Sequence, residues 1–182
     1  MNRILLIAFA ACLILISCDS DSEYKIQTTS VGNLTNDTPV NELKTIFKND
    51  SVVDGNSGER IQNSGGAIEI YEKKSGKQLL SLVPNTSAPD SKIRNVQIFD
   101  PRYETPEGIS LNSTFGDINN AYKISKIETL ISSVVVFVDD INAYFTIDKK
   151  DLPSTLQFDY SAKIEAHQIP DGANIKYFMI GW

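Results

Sequence analysis

Histidine and tryptophan each occur once in this chain, and cysteine only twice. That scarcity argues against a Cys/His metal site and against the disulfide framework of many small exported proteins. There is no G-x-S-x-G elbow, no glycine-rich phosphate loop and no H-E-x-x-H helix, so the common signatures of hydrolases, nucleotide enzymes and zinc peptidases are missing. Positive charge is also short. Lys and Arg number 17 against 23 Asp and Glu, a net charge of −6, and no basic stripe interrupts the acidic balance. Nucleic acid and an anionic membrane surface are therefore poor partners for the body of the protein. No cofactor is implied.

Long apolar runs are absent except at the start. Arg3 precedes an apolar stretch from Ile4 to Ile16, the layout of a secretory signal and too short and wrongly flanked for a stable membrane span. The stretch stops at a sharp boundary, "LILISCDSDSE" (13–23). Leu15-Ile16-Ser17-Cys18 resembles the lipobox of bacterial lipoproteins, in which the peptide is cut before the cysteine and the thiol and new amino group are acylated. The expectation is a signal peptide over 1–17, lipidation (palmitate among the acyl groups) at Cys18 and a short acidic tether over 18–23. The alternative is an incidental thiol after an ordinary signal. Several acyl chains at about 0.8 kcal/mol per buried CH2 hold a protein where one is marginal.

This reading leaves no cysteine pair. Cys12 departs with the apolar run and Cys18 becomes a thioether, so the exported body rests on its own core. Residues 24–182 are long enough for one domain burying about 70% of its unfolded surface.

The body reads as an α+β domain, mostly antiparallel sheet with two short helices. "YKIQTTS" begins it as a strand. "AIEIYEKKSGKQLLSLVP" is a hairpin turning at Ser75-Gly76, "KIRNVQIFD" a strand ended by Asp100-Pro101, "SSVVVFVDDINAYFTID" the strongest hairpin, and "ANIKYFMIGW" a closing strand. "YKISKIETLI" suits a helix through Ile124, Ile127 and Ile131, or equally a short strand. "DGNSGERIQNSGG" is a long loop. A weak repeat aligns "GNLTNDTPVNELKTIF" (32–47) with "GISLNSTFGDINNAY" (108–122), with one gap at Pro39. Gly32 meets Gly108, Thr38 meets Thr114, Leu43 meets Ile118 and Phe47 meets Tyr122. Each copy reads as a turn into a short helix, capped by Thr38 before Pro39 and by Thr114 with Asp117. Gly116 weakens the second helix. The whole is expected to be a tandem helix-plus-sheet repeat.

Candidate chemistry is thin. His167, in "EAHQIPDG", would be a general base but has no nucleophile motif beside it, and a surface histidine explains it as well. "DGNSGE" (54–59) is rich in oxygen but fails the spacing of a calcium loop, so no metal is expected. Asp139-Asp140 are a carboxylate pair for a hydrolase, or simply a hairpin turn. Trp182, in a terminal "YFMIGW", ends a sheet strand; the chain has too few strands for an outer-membrane barrel. Arg102 and Tyr103, on the loop of "FDPRYETPEGISLNSTFGDI", offer a guanidinium and an aromatic ring as a binding surface. Their structural alternative is a corner in which Arg102 ties down a carboxylate such as Asp100. Tyr103, Tyr122 and Tyr144 are candidate platforms for a small molecule or glycan.

The order "VGNLTNDTP", "IEIYEKKSGKQLLSLVP", "KIRNVQIFDPRYETPEGISLNSTFGDI" and "IPDGANIKYFMIGW" resembles a family of uncharacterised bacterial envelope lipoproteins. That family includes an enterobacterial member under envelope-stress control. The resemblance implies a small, non-enzymatic, lipid-anchored envelope domain with no catalytic residue to carry over. The middle loop and residues 123–133 depart from the family's pattern. Asp19 beside the cysteine resembles an enterobacterial inner-membrane retention signal, whereas Asp19, Asp21 and Glu23 together resemble the surface-export signal of other Gram-negative lineages. The outer membrane is the expected location, with the face left open. The function expected is a non-catalytic module bound to the membrane by its lipid and engaging an envelope protein or component.

Overall fold

The computed structural model describes residues 22–55, 66–157 and 163–182. Cys18, the expected signal segment (1–17) and most of the "DGNSGE" loop lie outside these residues.

Turns at Thr28-Thr29 and Gly32-Asn33 break the expected first strand. The segment folds instead as a 3-10 turn (Ser22–Tyr24) and a small sheet of β1 (Ile26–Gln27), β2 (Ser30–Val31) and β3 (Leu34–Thr35). Gly32 permits the second turn. Its φ is +56°, and a β-carbon there would stand 2.2 Å from the Glu23 carbonyl oxygen.

A 3-10 turn (Val40–Glu42) then runs into α1 (Leu43–Ile46), followed by a meander of β4 (Asp50–Asp54), β5 (Ile68–Glu72), β6 (Gln78–Pro84) and β7 (Ile93–Ile98). The second half repeats the plan with α2 (Phe115–Ala121), β8 (Lys126–Thr129), β9 (Ser133–Val138), β10 (Ala143–Asp148) and β11 (Ile175–Gly181). A short helix α3 (Ser154–Gln157) lies in the connection before β11. The two meanders fuse into one antiparallel eight-stranded sheet of order β4-β5-β6-β7-β11-β10-β9-β8.

The halves are related by a pseudo-two-fold at the β7–β11 seam. Phe178 pairs with Ile98 and Ile180 with Val96, on either side of the Gln97–Met179 pair. Backbone bonds recur in the same places. Val40 N–H donates to Ser91 C=O at 2.9 Å as Phe115 does to Ala173 at 2.8 Å, and Phe99 donates to Leu79 as Gly181 does to Asn142, both at 2.9 Å. The tandem repeat inferred from sequence is thus a repeat of structure, but its gap falls before Thr35, not at Pro39. Thr35 N–H donates to the Thr38 hydroxyl at 3.0 Å as Ser110 N–H does to Ser113 at 3.1 Å. Thr38 therefore corresponds to Ser113 and closes the turn. Pro39 takes the capping place without a side-chain bond, while Thr114 and Asp117 form the expected capping box.

Alternation puts one face of the sheet in the core. Ile68, Leu82, Val96, Ile180, Ala143 and Val138 form one cross-strand row, and Ile70, Leu80, Ile98, Phe178, Phe145 and Val136 the next. All are buried, and Leu34, Leu43, Phe115 and Ile118 join them in one cluster. Each such side chain contributes about 1.5–3 kcal/mol on burial. The other face stays partly open, with Phe137 stacked on Tyr144 at 5.7 Å. The ambiguous segment before β9 is a strand because cross-strand pairing outweighs its helical spacing: Ile127 pairs with Val136, leaving Ile131 77% exposed in the β8–β9 turn. No helix among the described residues is long and apolar enough to cross a membrane.

Candidate functional site

Arg102 is built into a corner. The chain turns at Asp100-Pro101, just after β7, where Tyr103 N–H donates to the Asp100 carbonyl at 3.2 Å. The Asp100 side chain is wholly buried, and the guanidinium forks onto it. Nε donates to Oδ1 at 3.0 Å, Nη2 to Oδ2 at 2.9 Å, and Nη2 also to Glu72 at 2.9 Å. The backbone N–H of Arg102 adds a bond to Asp100 Oδ1 at 2.9 Å, and Lys77 Nζ stands 3.6 Å from Oδ2. Burial alone would raise the Asp100 pKa; the bonds and charge of Arg102, with the charge of Lys77, hold it below the ordinary aspartate value. Arg102 is correspondingly raised, chiefly by its bond to Asp100.

The guanidinium also lies 4.5 Å from the Tyr24 ring centroid, and Tyr24 meets Tyr103 edge to face at 5.1 Å. Tyr103 is only 3% exposed. Its ring is a core side chain, and this corrects the expectation that it offers an aromatic handle at the surface. Arg102 and Tyr103 do lie side by side, but as a clamp joining the 3-10 turn at Ser22–Tyr24 to β5 and β7. The alternative reading of Arg102, tying down Asp100, describes the geometry.

The open concavity lies at the matching corner of the second half. Where α2 ends, a cleft of about 480 Å3 is floored by Ala121, Tyr122 and Ile141 and rimmed by Gln27, Glu107 and Asp140. A neighbouring hollow of about 490 Å3 shares Glu107 and Ala121 and reaches Asp117 and Asn120. The Tyr122 hydroxyl bonds the Glu107 carboxylate, and burial together with that bond pushes the phenol pKa up to about 12. At the end of α1 the equivalent corner keeps only about 70 Å3, with Ile46, Phe47, Tyr24 and Tyr103 among its lining. Sequence reasoning named Tyr122 but not the cleft. The usable signal was in the repeat alignment, where Tyr122 stands opposite Phe47.

The remaining candidates are scattered. Tyr144 lies on the open sheet face, bonded to Asn95. Asp139 and Asp140 are exposed on the β9–β10 turn, a 3-10 turn closed by Asn142 at φ 52°. Asp139 accepts from Ser125 at 2.8 Å, and the Asp140 backbone carbonyl accepts from Thr28 at 3.2 Å. His167 is on an exposed 3-10 turn, with Nδ1 3.6 Å from the Glu165 carboxylate. Trp182 ends the sheet, its indole N–H donating to the Thr28 carbonyl at 3.2 Å. Among the described residues no group of three or more His, Cys, Asp or Glu is arranged to hold a metal.

The fold places the chain among α+β domains built from one antiparallel sheet of two fused meanders. A solved structure of the uncharacterized protein yfeY from Escherichia coli shares it, with a TM-score of 0.53, 9% identity, and coverage of 87% of this chain and 99% of that one. At that identity the likeness is one of fold. The fold is thus shared with an uncharacterised enterobacterial protein. No protein-family model and no curated protein matches the sequence.

Proposed function

We propose that this protein is an exported, lipid-anchored envelope lipoprotein that acts as a non-catalytic binding module, kin to the uncharacterised envelope lipoproteins it resembles. The observation that carries the reading is the polarity boundary at Ile16-Ser17-Cys18. There a short apolar run, a small residue and an acidic tail meet as in a lipobox. Its support from the folded body is indirect. Asp139 and His167 lie on exposed turns in contacts of their own, while Asp140 stands with Glu107, Gln27 and Tyr122 around a concave surface suited to holding a ligand. The anchor sets the location as the envelope, with the outer membrane favoured.

The test is metabolic labelling with a fatty acid in cells expressing the full chain. Label on the wild type and none on Cys18→Ala is the expected result; label retained in Cys18→Ala refutes the anchor. In-cell cross-linking of the same strains then reports the binding role, and a wild-type profile no different from background refutes it.

A further inference from the structure

The pseudo-two-fold permits a comparison inside one molecule. At the end of α1 stand Ile46 and Phe47; at the equivalent end of α2 stand Ala121 and Tyr122. The closing bond is the same in both, Phe47 N–H donating to Leu43 and Tyr122 to Ile118 at 2.9 Å, but the chain then leaves differently, Phe47 at φ −95°, ψ 39° and Tyr122 extended at φ −135°, ψ 156°. The side chains differ as well. Phe47 is 6% exposed, and its corner is closed to about 70 Å3 with Tyr24 and Tyr103 packed nearby. The second corner, with Ala in place of Ile and a different path for the chain, is open to about 480 Å3, within the roughly 300–1,000 Å3 of small-molecule sites. Replacing Phe by Tyr adds a hydroxyl that Glu107 holds.

The lining selects the ligand. Ala121, the Tyr122 ring and Ile141 form an apolar floor, while Glu107, Asp140 and Gln27 supply hydrogen-bonding groups around it. An aromatic platform rimmed by carboxylate and amide groups complements a saccharide, whose C–H face lies on the ring and whose hydroxyls donate outward. Two carboxylates disfavour an anionic ligand and favour a neutral or amino sugar.

The geometry points to the Tyr122 cleft as a binding site for a neutral or amino sugar, free or as one residue of a glycan. This deepens the binding-module reading and rests on it for the role of the domain, though not for the lipid anchor.

The experiment is saturation-transfer NMR on the purified full chain with four probes: glucosamine, N-acetylglucosamine, chitotriose and glucuronic acid. Transfer to the first three, weak or absent for glucuronic acid, is expected. Stronger binding of chitotriose than of N-acetylglucosamine identifies a glycan chain as the source, and equal binding a single sugar. Ala121→Ile places in the cleft the larger side chain that the first half carries at Ile46, and a thermal melt checks that the variant folds. It should weaken binding about tenfold or more. Glu107→Gln should narrow the preference for glucosamine over N-acetylglucosamine. No transfer to any probe at about 10 mM, far above a millimolar Kd, overturns the site, as does unchanged binding by folded Ala121→Ile. If cross-linking still captures an envelope protein while the sugars fail, the saccharide assignment falls and the binding-module reading stands. If sugars bind but Cys18→Ala keeps its label, the anchor falls and the site stands.

Discussion

Gly116 touches the backbone of Asp171. Its N–H donates to the Asp171 carbonyl at 2.8 Å, and a β-carbon on Gly116 would stand 2.8 Å from the Asp171 β-carbon and 3.0 Å from its carbonyl oxygen. The glycine that looked like a weak point in α2 is the residue that lets the helix meet the segment before β11. Asn41 makes the matching bond to Pro89 in the first half.

Gly116→Ala should therefore destabilise the protein even though alanine is the better helix former. The clash costs about 1–3 kcal/mol, and the propensity gain of under about 1 kcal/mol offsets only part of it. Urea unfolding followed by circular dichroism measures the difference. A midpoint at or above that of the wild type contradicts the close approach.

Removing Arg102 should cost more than a surface charge does. Arg102→Ala leaves the buried Asp100 carboxylate with Lys77 at 3.6 Å and loses the bond to Glu72. Breaking a fully buried pair costs about 3–5 kcal/mol. Arg102 is 42% exposed and Asp100 keeps the backbone bond from residue 102, so about 2–3 kcal/mol is expected here. Arg102→Lys should recover only part of this, since one ammonium cannot occupy the two-pronged geometry. The same urea titration compares the variants, and full rescue by lysine contradicts the fork.

Acid should unfold the protein through Asp100. Its folded pKa lies below the ordinary value of about 3.9. Its contribution is thus complete above that value and is lost as pH falls through the folded pKa. Asp50 acts in the opposite sense. Burial and the charges of Glu23 and Glu72 raise its pKa, so its charge costs stability near neutrality and that cost is relieved on mild acidification. The unfolding midpoint should change little, or rise slightly, from pH 7 towards about 4.5, then fall steeply below about 3.9. In Arg102→Ala the fall should be shallower, because burial without the guanidinium moves the Asp100 pKa back up, and protonating it then costs the folded state less. A pH series of denaturant midpoints for both proteins checks the slopes.

Local signals carried much of the architecture. The hairpin at Ser75-Gly76, the buried run Val134–Val138 and the capping box of Thr114 with Asp117 are written in neighbouring residues, so period and turn chemistry found them. The repeat was legible too, although its gap was misplaced. Thr38 before Pro39 looks like a cap, and only the bond from Thr35 shows that its hydroxyl is already used. The strand at Ile127 could not be separated from a helix, because its partner Val136 decides the matter from across the sheet.

The site divides the same way. The sequence alone determined the boundary at Cys18 and the poverty of catalytic motifs, since both depend on residue type and short spacing. It also singled out Arg102, Tyr103 and Tyr122, but not their environments. Burial of Tyr103 against Tyr24, the fork of Arg102 on Asp100, and the cleft left open by Ala121 where Ile46 stands in the other half were decided by tertiary packing. The physical reason is that exposure and cavity volume are properties of surfaces brought together from distant parts of the chain.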